Sequence, residues 1–379
     1  MSSYDPKKMI STNLALIVEL DYAVPRAVDE YQQALKAVIE YTNLHKFDHV
    51  KVNIHYIDNL TKFDDIHEKP HPIEFLTTHP VVIEYFYCLE SKKCFIKCQI
   101  NLCYYDGLSV THTSLCILEY LEHSDHGSVP PDQYMTKPSR FKQHNSPSDI
   151  STFTLIINYM TLLLTLIFYF FKGLIEKYLY RSTSVAVGPM IYFNENNPRY
   201  YMRYSDIKTP FSKLLDIMQE LKTKLKLPTI SYTINFSPNV SIGFLPDFTS
   251  IKSQQKRIAG MSVPIGHPAP MDAMHVALVS TSIFYNNYGR FDPNISGNVV
   301  GFLWNWIGLE PNFCGFIIVC SIKQKLFACV GLPHVHTTND DVMKTLTQIE
   351  AVDGVFPVKS QPFASILPAI NNSNRIKND

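Results

Sequence analysis

The sequence predicts an α/β (α+β) chain with mixed sheets, arranged as two domains or one two-lobed body. Three observations carry this. At 379 residues the chain is long enough to bury a large core, and longer than one typical domain. Segments whose apolar residues alternate are interleaved with segments whose apolar residues recur at three- and four-residue steps, so strands and helices are mixed along the chain. Aromatics at 12% and 24 prolines belong to a globular chain with many strands and well-punctuated loops rather than to a helical array.

Leu14 to Val24 reads as the first strand, and Pro25 opens a helix where proline is tolerated, with Val28, Tyr31, Leu35, Val38 and Ile39 as its apolar stripe. Val50, Val52, Ile54 and Tyr56 alternate as a second strand. A polar loop from Asp58 to Pro72 carries His67 and His71. Pro70 and Pro72 flank His71 and oppose the helix that an i,i+4 metal pair needs. Pro80 to Leu89 and Lys92 to Leu102 form a β-hairpin. In its second strand Cys94, Ile96, Cys98, Ile100 and Leu102 share one face, and Phe95, Lys97, Gln99 and Asn101 the other, the pattern of a half-buried strand. Asp106-Gly107 ends it, with glycine expected for a positive φ. A helix follows from Leu108 through Leu115, Cys116, Leu118 and Leu121.

From His123 to Asp149 the chain is rich in Ser, Pro, His and charge, the composition of a linker. Phe153 to Phe171 is then 19 residues without a charge, ending at Lys172. Its length reaches the membrane threshold, while Thr154, Asn158, Tyr159, Thr161 and Thr165 make it only moderately apolar. Three readings stand side by side: a span, a segment lying in one leaflet, and a buried helix of the folded body. Lys172, Lys177 and Arg181 at its end suit a cytosolic interface.

Strand-like segments resume near Val185 to Phe193 and Tyr200 to Tyr204. Thr209 is the expected N-cap and Pro210 the first residue of a helix with stripe Leu214, Met218, Leu221 and Leu225. Thr229 to Phe236 alternates as a strand, and Pro238 to Asp247 reads as a loop. Met274 to Tyr285 is apolar and β-branched, and Asn298 to Phe302 falls in a turn-rich region before Trp304 and Trp306. Phe316 to Cys320 and Leu326 to Val330 form a second hairpin. Thr338 or Asn339 caps a short helix with stripe Val342, Leu346 and Ile349. The domain boundaries read from this pass are 1–122 for an N-terminal lobe, 123–199 for a linker holding the apolar segment 153–171, 200–355 for a C-terminal lobe, and 356–379 for a flexible tail.

Lys+Arg and Asp+Glu are both 34, so no net field draws the chain to nucleic acid. Several of the eight cysteines sit at alternate positions of strands, where free cysteine behaves as a small hydrophobe, and a reduced, cytosolic setting is expected. Cys94, Cys98 and Cys103 lack a CxxC step, and His334-Val335-His336 has no ligand pattern nearby to complete it, so no metal site is predicted. Met1 to Lys8 is polar, without the form of a signal peptide.

Pro80 to Phe86, the hairpin, and Asn101-Leu102-Cys103-Tyr104-Tyr105-Asp106-Gly107-Leu108-Ser109 resemble the block leading to the His-His-x-x-x-Asp-Gly motif of CoA-dependent acyltransferases. The similarity is greatest to wax ester synthase/diacylglycerol acyltransferase proteins. Their C-terminal hairpin and capped helix are similar to Ser321 to Leu326 and Thr338 to Glu350, and their Asn-Val-Pro-Gly turn to Asn298-Val299-Val300-Gly301. The resemblance covers about residues 14–122 and 200–352. It implies a two-lobed fold related to chloramphenicol acetyltransferase, with a tunnel between lobes that admits acyl-CoA from one side and the acceptor from the other.

The resemblance also implies a site. In this family the second histidine of the motif is the general base, taking the acceptor's hydroxyl proton as the oxygen attacks the thioester carbonyl. That position is Leu102 here and the first is Asn101, so both are candidate tunnel-lining residues without a base. Asp106 and Gly107 are the remnant of the motif and imply a structural role. His112, His267, His275, His334 and His336 are the histidines that could stand in.

The implied activity is acyl transfer from acyl-CoA to a lipid alcohol or diacylglycerol at a membrane, impaired or absent for want of the base. Acyl-CoA is co-substrate and no cofactor is required. The alternative is an inactive acyl-lipid-binding or membrane scaffold protein. The expected location is the cytosolic face of a membrane, with the endoplasmic reticulum and lipid droplets as candidates.

Overall fold

In the computed structural model the described residues are 10–19, 27–42, 50–57, 79, 81–88, 90, 93–101, 107–124, six positions within 153–171, 199–227, 229–236, 239–245, 247–248, 262–264, 282–308, 315–333, 339–354 and 358–359. Among them the strands form two mixed sheets.

Sheet one takes β1 (Ile10–Glu19), β2 (Val50–Ile57), β3 (Val81–Cys88), β4 (Lys93–Asn101) and β10 (Asn298–Gly308), in the order β10-β1-β4-β3-β2. Only β2 and β3 run parallel. Two helices lie on one face, α1 (Val28–Thr42) and α2 (Gly107–Ser124). Their sequence logic is simple: α1 presents Tyr31, Leu35 and Val38 to the sheet, and these are buried with Leu16, Val18, Tyr85, Tyr87, Ile96 and Cys98 in one core. The Tyr31 ring packs against Tyr85 in a tilted arrangement at 4.9 Å, and its hydroxyl bonds the Tyr87 hydroxyl.

Sheet two takes β5 (Arg199–Ile207), β6 (Thr229–Phe236), β7 (Asn239–Leu245), β8 (Ser262–Pro264), β9 (Ser282–Phe291), β11 (Phe316–Ile322), β12 (Lys325–Pro333), β13 (Ala351–Gly354) and β14 (Val358–Lys359). Their order is β13-β5-β12-β11-β9-β6-β7-β8, with β14 also on β5. One face packs α3 (Phe211–Lys224) and α4 (Asp340–Leu346) through Leu214, Met218, Leu221, Val342 and Leu346. Its other face, with Phe284, Phe316, Ile318, Phe327 and Cys329, joins the core of sheet one and α2. The second sheet is therefore apolar on both sides, and α2 lies within the core that the two sheets share.

Several expectations change. β10 comes from the second half of the chain yet pairs with β1 along its length, Leu16 opposite Phe302, so the region read as turn-rich is a strand that stitches the sheets together. β7 replaces the expected loop: prolines 238 and 246 bound it and leave its interior free to pair with β6. Thr209 does not cap α3; Pro210 holds the N-cap position, and the Thr209 hydroxyl accepts from the Glu350 backbone N–H at 2.9 Å. Asn339 caps α4, its side chain accepting from the Asp341 N–H. The β11–β12 turn holds Lys323 and Gln324 at φ 49° and 67°, the left-handed pair that a tight hairpin requires.

Among the described residues no helix is long and apolar enough to cross a membrane. Within 153–171 the described positions Phe153, Ile156, Met160, Leu164, Ile167 and Phe171 are helical and exposed, which removes the buried-helix reading for this face.

Candidate functional site

The site predicted around the Asp-Gly turn lies where β4 hands over to α2. Asn101 closes β4 with its backbone opposite Ser11. Leu102 and Asp106 fall outside the described residues, as do His67, His71, His267, His275, His334 and His336. Gly107 is described: it opens α2 and is buried.

Glycine is needed at 107 for a different reason from the one expected. Among the described glycines positive φ belongs to Gly289 and not to Gly107. A Cβ at 107 would instead overlap the Tyr288 hydroxyl oxygen and stand 2.9 Å from its Cζ. Tyr288 comes from β9 of sheet two and packs edge-on against Phe302 of β10. Gly107 thus packs directly against Tyr288 of the second sheet, and a Cβ there would force that phenol to move.

The rest of α2 is fixed on both sides. Toward sheet one, Ser114 donates to the Val110 carbonyl at 2.7 Å, its oxygen lies 3.1 Å from the Cys98 sulfur, and its own carbonyl accepts from the Tyr85 hydroxyl at 3.1 Å. Toward the β9–β10 crossover, the Glu119 carboxylate accepts from the Asn294 N–H, and Glu122 accepts from the Ser296 N–H at 2.9 Å. The Lys323 ammonium donates to the carbonyls of Ile295 and Gly297 in the same crossover. Backbone groups of this connection are therefore satisfied by side chains, which is what allows it to pass through a partly buried region.

His112, one of the substitutes for the missing base, is buried on α2 with its Nε2 3.3 Å from the Cys116 sulfur. Burial and the neighbouring Glu119 carboxylate push the Cys116 thiol well above its usual range, so it stays a neutral thiol at neutral pH. Burial likewise pushes Cys98 up to about 12. The pair His112–Cys116 is a satisfied core contact, without the ionised sulfur of a nucleophilic dyad.

A polar cluster that the sequence hid lies on the opposite face of sheet one. Glu84 of β3 and Lys97 of β4 stand directly across from each other and pair at 3.3 Å, both side chains less than a tenth exposed. The second Glu84 oxygen meets His55 Nε2 of β2, also at 3.3 Å, and the His55 ring stacks on Phe86 at 4.5 Å. Gln99, next along β4, is buried too. Desolvation pulls the Lys97 ammonium below its ordinary value and the Glu84 carboxylate opposes this. The strand expected to be half-exposed is buried on both faces. Alternation marks two faces in a sequence and cannot tell a wet polar face from a covered one. Among the described residues no group of three His, Cys, Asp or Glu is arranged to hold a metal ion.

Neither a family model nor a curated protein matches the sequence. Solved structures do match the fold. A starter condensation domain of rhizomide synthetase carrying one substitution, in complex with C8-CoA, superposes with a TM-score of 0.53 at 8% identity, over 93% of this chain and 91% of that one. A doubly substituted form of the same domain, in complex with C8-CoA and Leu-SNAC, gives 0.51 at 9% identity over the same shares. This chain has the two-lobed chloramphenicol-acetyltransferase-like fold. At 8–9% identity this likeness is one of fold.

Proposed function

We propose that the chain is an acyl-CoA-handling protein of the wax ester/triacylglycerol acyltransferase type whose turnover is impaired or absent. The observation that carries this is the pairing of a superfamily fold over nearly the whole chain with leucine at the general-base position. The fold and the sequence resemblance support the class; Leu102, at the position where the resemblance implies a histidine, has no lone pair to take the acceptor's proton. Loss of a general base typically forfeits about 10²- to 10⁴-fold in rate. The ligand class is supported by the matched condensation domain in complex with C8-CoA. The acceptor class, a lipid alcohol or diacylglycerol, rests on the sequence resemblance, and so does placement on the cytosolic face of a membrane such as the endoplasmic reticulum or a lipid droplet.

The second reading, an inactive acyl-lipid binder or membrane scaffold, is favoured by Leu102 itself and by His112 being engaged with Cys116 rather than open to a substrate. Replacing the base separates the two readings. In Leu102→His, ester formation from C8-CoA and a long-chain alcohol is expected to rise by about 10²-fold or more over the wild-type chain. No gain, with the variant folded and still binding C8-CoA, supports the binder.

A further inference from the structure

Resting on the membrane association proposed above, we infer that the exposed helical face within 153–171 seats the chain in one leaflet of an anionic bilayer, lying in its plane. Phe153, Ile156, Met160, Leu164, Ile167 and Phe171 follow one another at steps of three and four, the spacing that puts side chains on one side of a helix. All six are helical and exposed, from 43% at Ile167 to 71% at Phe153. Large apolar side chains elsewhere in the described residues are overwhelmingly in the two cores, so six of them left open to water within one short segment mark an interaction surface.

The chemistry of the segment selects lipid over a protein groove. A helix that docks in a groove keeps a charged outer face in water, whereas none of the 19 residues from Phe153 to Phe171 is charged. Uncharged polar residues do occur: Thr154, Asn158, Thr161 and Thr165 repeat at steps of three and four, a spacing that would gather them on one side of a helix, with Tyr159 outside the set. A row of hydroxyls and one amide suits the headgroup level, and the apolar row the acyl chains, the division of a helix parallel to the surface. Lys172, Lys177 and Arg181 follow the segment at once and complement anionic headgroups.

The test uses the purified full chain and flotation with vesicles of phosphatidylcholine alone or mixed with phosphatidylserine. Wild type is expected to float with both, more with the mixture. Leu164→Glu combined with Ile167→Glu should lower the floated fraction about tenfold or more with an unchanged thermal unfolding midpoint, because both side chains are exposed. Lys172→Gln with Lys177→Gln should abolish only the preference for phosphatidylserine. On sealed vesicles, added protease should cleave both before Phe153 and after Phe171. Flotation of the double Glu variant like wild type overturns the inference. Protection of one side from protease overturns it in favour of a span. A wild-type dimer that fails to float and dissociates in the Glu variant overturns it in favour of a second copy. Flotation does not depend on acyl transfer, so a chain that floats without making ester fails the functional reading and leaves this one standing.

Discussion

The two central hairpins occupy similar places and are built on different terms. β11–β12 is apolar on both faces, with Phe316, Ile318, Cys320 and Phe327 in the shared core and Ile317, Val319, Ala328 and Val330 against α3 and α4. β3–β4 is apolar toward α1 and α2; its other face buries Glu84, Lys97 and Gln99 among the apolar Val82 and Phe95. Burying a charge costs several kcal/mol and its pairing recovers this only with good geometry, so a covered polar face is not the cheapest way to hold a sheet together. The second hairpin is a structural spine. The first combines a spine on one face with a polar layer on the other, in the strand that leads to the motif remnant.

The largest effect is expected where that polar layer is broken. Lys97→Met takes the buried cation away from the buried Glu84 carboxylate, and urea unfolding at neutral pH should show a loss of about 3–5 kcal/mol. Glu84→Leu together with Lys97→Met should return most of it, because two apolar groups replace a pair that contributes little net stability. In the apolar hairpin, Ile318→Ala should cost about 2–5 kcal/mol with no such rescue, since what is lost there is packing. A double variant as unstable as the single would erase the distinction between the hairpins.

A smaller effect is expected at the contact between α2 and sheet two. Gly107→Ala should destabilise by about 1–3 kcal/mol through overpacking against Tyr288. Tyr288→Phe should reduce that cost, because the hydroxyl oxygen is the nearest atom to the added methyl.

The smallest and broadest effect is alkaline. Burial pushes the Cys98 thiol up to about 12 in the folded chain, so the unfolded thiol loses its proton first and stability falls as pH rises from about 9 toward 12. Tyr85, Tyr87, Cys94, Cys116 and Cys320, all pushed up by burial, act in the same direction. Lys97 acts the other way: its folded value is lowered, so the unfolded chain binds more protons and stability gains with pH up to 10.5. Denaturant midpoints measured from pH 8 to 11 should fall overall, and fall more steeply once Lys97 is replaced by Met.

Much of the architecture was legible because local pattern and tertiary context agree. Both hairpins, α2 and α3 bury the residues that their periodicity marked, and β2 buries Val50 and Val52 of its alternating set. What escaped depends on distant partners. β10 is hydrogen-bonded to a strand almost three hundred positions away in sequence, and its Asn and Gly residues resemble turn signals until β1 supplies the ladder. β7 was masked by the prolines that bound it. The need for glycine at 107 arises from Tyr288, which no reading of residues near the turn can reveal. For the candidate site, Asp106-Gly107 and its place before a helix were visible, while the Glu84–Lys97–His55 cluster was not, because a charged residue on alternate positions reads as the wet side of a strand.

We propose that this chloramphenicol-acetyltransferase-like fold binds acyl-CoA without a general base. The most direct measurement follows free CoA release from C8-CoA by the purified full chain, with and without a long-chain alcohol, alongside C8-CoA binding by calorimetry. The account predicts saturable binding with CoA release at or near the rate without protein. Alcohol-dependent release at an ordinary enzymatic rate, on the order of 1–10³ per second, would contradict it.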